Sequence, residues 1–108
     1  MTLTPPALTA VLTAAQLRGI LAAARDYHLG NSTLGILAYL HEHGTGSLVT
    51  LARAARLSTA ATTGLADRLV ALGYAARRPS IADRRIVWLD ITPSGTATLE
   101  DILTTANS

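Results

Sequence analysis

The apolar residues of this chain change their spacing at Gly73, and that change limits the folds open to it. Before Gly73 they recur every three or four positions, the period of a helix with one buried face; from there to Ile91 they alternate, the period of a strand. Leu17, Ile20, Leu21, Ala24 and Tyr27 mark a first helical stretch ending near Gly30. Thr4-Pro5-Pro6 resembles a helix start, and Thr13-Ala-Ala-Gln16 fits a capping box, so this stretch reads as one broken helix or two consecutive ones. Asn31 and Ser32 are suited to cap the next helix, with Leu34, Leu37 and Leu40 as its stripe and Gly44 as its stop. Thr45 to Leu48 is a short connector or a minimal strand. Leu48, Leu51, Ala52 and Ala55 predict a third helix closed by Arg56-Leu57. Ser58 then caps a fourth, whose Thr62, Leu65, Leu69 and Leu72 share one side.

Beyond Gly73, placed for a left-handed helix end, Tyr74–Arg78 and Arg85–Ile91 read as two strands joined by a tip at Pro79–Asp83. On the second strand Val87, Leu89 and Ile91 point one way and Ile86, Trp88 and Asp90 the other. Thr92-Pro93 opens a last helix with an apolar edge at Leu99, Ile102 and Leu103. The expected fold is mainly α with a small β-hairpin, in the order α-α-α-α-β-β-α. It forms a single domain over 1–108: an N-terminal helical segment at 1–30, a core at 31–92 with a hairpin wing at 74–91, and a short C-terminal helix at 93–108. Two helices followed by a strand pair is the layout of a winged helix-turn-helix.

Charge points the same way. Lys+Arg number nine and all nine are arginine. Seven of them lie between 53 and 85 against Asp67 and Asp83, leaving that segment at +5. Arg18 and Arg25 against five carboxylates leave the remainder at −3, which together give the +2 of the whole chain. A basic segment between mildly acidic flanks suits a polyanionic partner met by one face, whereas the plain reading of the same charges is a solvated helix face.

The residues exclude much else. Cysteine is absent, and with it disulfides and thiolate chemistry. Met1–Leu17 lacks a basic leader region and is interrupted by Pro5, Pro6 and several threonines. It therefore reads neither as an export signal nor as a membrane span, and a cytoplasmic location is expected. His41-Glu42-His43 places its histidines two apart, where they diverge on a helix, so no metal site is expected, and no cofactor either. No phosphate loop, nucleophile elbow or nucleophile–base pair is present, which argues against an enzyme. Trp88, the sole tryptophan, fits a partly buried packing position, and Tyr27 and Tyr39 fit core or interface roles.

The stretch from Leu51 to Pro79, LARAARLSTAATTGLADRLVALGYAARRP, resembles the DNA-binding core of MarR-type transcription regulators. Asp83-Arg84-Arg85 is similar to that family's D-x-R wing tip, and Ile91-Thr92-Pro-Ser-Gly95 to its L-T-x-x-G junction, with Ile91 in place of Leu. The resemblance implies that Ser58–Leu72 is a recognition helix for the major groove of double-stranded DNA. It implies that Arg85, aided by Arg84, reaches the adjacent minor groove, that Asp83 braces the wing, and that Arg68 contacts a phosphate or holds the wing base. The residues expected at DNA are then Ser58, Thr59, Ala60, Thr63, Gly64, Arg68, Arg78, Arg84 and Arg85.

Two departures from the family pattern carry information. The outward face of the recognition helix, with Ala60, Thr63, Gly64 and Asp67, is poor in the side chains that make bidentate base contacts, and Gly64 stands where relatives commonly carry Arg. This predicts weak direct readout. Only about a dozen residues follow Thr92-Pro93, a short form without the family's long C-terminal helices, so dimerisation falls to the N-terminal helices, the last helix or both. The implied function is a homodimeric regulator, in the simplest case a repressor, on a pseudo-palindromic site. The alternative is a winged-helix protein-interaction module without strong DNA binding. Nothing in the residues supports a small-molecule effector.

Overall fold

The computed structural model describes residues 14–106. The expected helix start at Thr4-Pro5-Pro6 lies outside them, as does Thr13 of the capping box. Five helices and three strands are present among the described residues: α1 (Ala14–Asp26), α2 (Asn31–His43), β1 (Thr45–Ser47), α3 (Leu48–Ala55), α4 (Thr59–Ala71), β2 (Ala75–Pro79), β3 (Val87–Ile91) and α5 (Pro93–Ala106). No described helix is long and apolar enough to cross a membrane.

The helices form where the apolar period places them, and α2 lies at their centre. Ile36, Leu37 and Leu40 of α2 are fully buried with Leu29, Leu51, Leu69, Leu89 and Ile102, so that one core joins α2 to α3, α4, β3 and α5. The cap expected from Asn31 or Ser32 is not made: both residues lie inside α2, and Gly30 occupies the cap position without a side-chain bond. Gly44 does end α2, at φ 81, its N–H donating to the Leu40 carbonyl.

The element order is the expected one, with the minimal strand formed between α2 and α3. Thr45–Ser47 is a strand that pairs antiparallel with β3, opposing Thr45 to Asp90, Gly46 to Leu89 and Ser47 to Trp88. The sheet order is β1-β3-β2, which makes the second wing strand central and β2 an edge, where Pro79 costs no ladder bond. The strand predicted over Arg85–Ile91 begins only at Val87. Residues 83–86 turn instead, with the Ile86 N–H on the Asp83 carbonyl and the Ser80 N–H on the Ile86 carbonyl.

The α3–α4 turn is made without glycine. Arg56 adopts the left-handed region at φ 56 and ψ 43, and its N–H reaches the Ala52 and Arg53 carbonyls. Ser58 then caps α4, accepting from the Ala61 N–H at 3.1 Å. Thr62 is fully buried. Its hydroxyl donates to the Ser58 carbonyl at 2.9 Å, so no buried polar atom is left open. Gly73 takes φ 82 as expected, with the Tyr74 N–H returning to the Leu69 carbonyl.

The strand-to-helix junction shows what Thr92 and Gly95 do. The Thr92 hydroxyl donates to the Gly73 carbonyl at 2.7 Å and accepts from the Gly95 N–H at 3.0 Å, capping α5 and tying it to the end of α4. At Gly95 the backbone runs against the Tyr74 carbonyl so closely that a Cβ would overlap the oxygen.

Candidate nucleic-acid interface

The inward residues of α4 are Thr62, Ala66 and Leu69, with Leu65 half-buried beside them. This turns Ser58, Thr59, Ala60, Gly64 and Asp67 outward and leaves Thr63 half-buried, its hydroxyl donating to the Thr59 carbonyl at 2.9 Å. A Cβ at Gly64 would meet no atom within 4 Å, so that face is open. An open groove of about 400 Å³ separates the start of α4 from the wing, lined by Leu48, Val49, Thr59, Arg85, Ile86 and Trp88 among others.

The arginines divide into those that hold the scaffold and those that leave it. Arg77 of β2 pairs with Asp67 of α4, which ties the wing to the recognition helix. Arg78 is bonded within the sheet while its side chain stays half exposed. Its Nε and Nη2 bond the two carboxylate oxygens of Asp90 at 2.9 and 3.2 Å, and its guanidinium lies 5.7 Å from the centre of the Trp88 ring. Thr45 donates to the same carboxylate at 2.6 Å, so one cluster joins all three strands. Arg68, expected at a phosphate or the wing base, points elsewhere: its Nε and Nη2 both donate to the His28 carbonyl at 3.3 Å. His28 is itself left-handed at φ 65, so Arg68 clamps the α1–α2 turn onto α4, and Arg77 holds the wing base instead.

Arg84 and Arg85 leave the scaffold at the wing tip. Arg85 is 90% exposed, yet it is oriented: its Nε and Nη2 bond Asp83 at 3.1 and 3.0 Å, and its backbone N–H bonds the same carboxylate at 2.9 Å. Those bonds hold the Asp83 carboxyl below the usual range, so the brace stays charged at neutral pH. Arg84 is exposed and joins no ion pair among the described residues, as is true of Arg53 and Arg56.

The Asp90 cluster makes a pH-dependent contribution. Arg78, and then Thr45, hold its carboxyl below the ordinary value. A depressed carboxyl adds stability above its unfolded pKa of about 4 and loses it as pH falls through the folded value. Asp90→Asn is expected to lower unfolding free energy by about 1 kcal/mol at neutral pH, a figure already reduced for partial exposure. In urea titrations the gap between variant and parent should close below about pH 4; a gap constant with pH would refute the assignment.

The histidines near the end of α2 are occupied separately. His41 faces Glu100 of α5 at 3.5 Å, and His43 packs on the Tyr39 ring with centroids 4.2 Å apart. Tyr27 donates to Asp101, linking the α1–α2 turn to α5.

The MarR family model matches residues 29–86. No curated protein matches the sequence. Among solved structures, the chain is similar to YusO from Bacillus subtilis, with a TM-score of 0.77 and 26% identity over 85% of this chain and 65% of that one. It is equally similar to the transcriptional regulator Tm0710 from Thermotoga maritima, with a TM-score of 0.77 and 28% identity over 86% of this chain and 65% of that one. A mutant MarR from E. coli complexed with operator DNA matches at a TM-score of 0.74 and 22% identity, over 83% of this chain and 64% of that one, a likeness of fold alone. The chain thus spans just under two thirds of the length of these structures. The family match runs from the α1–α2 turn through both helices of the helix-turn-helix to the wing tip, more than half of the chain, and the protein therefore belongs to the MarR family of transcription regulators.

Proposed function

We propose that the protein binds double-stranded DNA as a homodimer on a pseudo-palindromic site and represses transcription by occluding the promoter. The observation that carries this reading is the joint presentation of an uncovered α4 face and the wing-tip Arg85 across one groove, with Arg84 exposed next to it in the chain. Helix and wing are tied by Asp67–Arg77, so they would meet adjacent grooves as one body. Phosphate contacts and wing shape-reading supply most of the affinity, because α4 offers no bidentate base contact. Dimerisation is supported by the apolar surface left on the packed α1–α5 pair, where Leu17 is 50% exposed and Leu103 37%. A two-fold pair would set its recognition helices about one turn of DNA apart. The reading includes no catalytic step, and it places the protein in the cytoplasm.

The test is a fluorescence-anisotropy titration with mixed-sequence duplex, with sedimentation to fix the stoichiometry. Affinity is expected to fall by on the order of a hundredfold or more between 50 and 200 mM salt. A flat salt dependence would remove the electrostatic basis of the reading. Absence of binding at low salt would favour the second reading, a protein-interaction module, whose support is the lack of Arg, Asn and Gln on the outward face of α4.

A further inference from the structure

Ile81 at the wing tip is as exposed as a side chain can be, at 105% of its reference area, while the backbone around it is fixed. The Ser80 N–H bonds the Ile86 carbonyl at 3.1 Å, the Ile86 N–H bonds the Asp83 carbonyl at 3.0 Å, and the Asp83 N–H bonds the Ser80 hydroxyl at 3.2 Å. The Asp83–Arg85 pair closes the other side of the tip. The other large exposed apolar side chains among the described residues lie on the α1–α5 surface (Leu17, Leu103) or along the groove (Val49, Ile86), leaving Ile81 by itself at the extremity.

An isoleucine held out on a rigid, narrow hairpin pays its ordering cost before any partner arrives. Its neighbours select the partner: Arg84 is unpaired and Arg85 is nine-tenths exposed, so the apolar tip is flanked by positive charge. Charge complementarity fits a polyanion, and an apolar residue among cations on a ribbon fits the minor groove, where such residues wedge between base steps and bend the duplex. We infer that Ile81 is an apolar wedge entering the minor groove beside Arg84 and Arg85, and that it favours an easily unstacked pyrimidine–purine step there. The inference rests on the DNA-binding reading above. It also supplies specificity that α4 lacks, since a deformable step is read without hydrogen bonds to bases.

The experiment compares wild type with Ile81→Ala on a duplex selected from a random library with the wild-type protein. Removing an exposed side chain leaves folding unchanged, which a melting curve checks. The variant is expected to bind about tenfold more weakly, from loss of buried apolar area, with the salt slope unchanged because no charge is removed. Bending, read as the change in energy transfer between end-labelled duplex termini, should diminish in parallel. Replacing a TA or CA step under the tip with a stiff A-tract should weaken wild type more than the variant. Equal affinity and equal bending for the two proteins would overturn the wedge while leaving the DNA-binding reading intact. A wild type that retains no duplex at low salt would overturn that reading, and the wedge with it.

Discussion

With Arg84 and Arg85 both replaced by alanine, affinity for duplex DNA at moderate salt is expected to drop roughly tenfold to a hundredfold, and the salt slope to shrink by about one for each charge lost. The slope is the more telling quantity. Of the seven arginines between 53 and 85, Arg77 and Arg78 are neutralised by Asp67 and Asp90, and Arg68 is committed to the His28 carbonyl. The wing tip adds Arg84, in no ion pair among the described residues, and Arg85, which stays 90% exposed although paired with Asp83, so it carries much of the charge that can displace counterions. Arg85 is also presented with its geometry set, because Asp83 holds its guanidinium and its backbone N–H together. Both side chains are exposed, so the melting temperature should not move. Anisotropy titrations at three or more salt concentrations read the effect. An unchanged slope would mean that the tip does not meet phosphate or groove, and that Arg53 and Arg56 carry the electrostatic contact.

Two glycines of this chain should respond in opposite senses to the same substitution. Gly95→Ala places a Cβ on the Tyr74 carbonyl oxygen and within 3.0 Å of Ile91 Cγ1. The oxygen belongs to backbone that also accepts the Thr92 N–H at 3.1 Å, so relief requires moving the α4–β2 link or the start of α5. A cost of about 3 kcal/mol is expected, a loss of some 10–20 °C in melting temperature for a domain of this size. Gly64→Ala meets no atom within 4 Å on the exposed face of a helix, and should gain roughly 0.5–1 kcal/mol. Thermal and urea unfolding of the two variants measure both. A tolerated Gly95→Ala would show that the junction is looser than its hydrogen bonds suggest.

Periodicity and end signals made most of the fold legible. The change of period at Gly73, the cap at Ser58 and the hairpin all rest on interactions between near neighbours, which residue types record. β1 stayed open between a connector and a minimal strand because Thr-Gly-Ser has no apolar alternation, and its partners at 88–90 lie far along the chain. The helix end at Arg56-Leu57 was legible, but the left-handed backbone at His28 and Arg56 was not, because neither residue is glycine. The site was legible in part. The wing-tip motif located Arg84, Arg85 and their brace, but arginine composition could not separate cations facing solvent from those facing a carboxylate. Arg68 is the clearest case: its partner is a backbone carbonyl, a group every residue carries, so no residue type at position 28 could announce it. Arg78 is a related case: strand register sets it opposite Trp88, with Asp90 on the diagonal, a proximity that residue types do not record.

The third strand also sets an order of assembly. Ala75–Pro79 and Val87–Ile91 can form a hairpin locally, in microseconds. Thr45–Ser47 can join them only when the two intervening helices have folded back and closed a long loop, the slow kind of contact in a small domain. The arm beside the recognition helix thus acquires its final orientation after that helix exists. The sole tryptophan sits opposite Arg78 in the hairpin and opposite Ser47 in that last pairing, so indole emission is expected to change at both steps while ellipticity follows the helices on refolding.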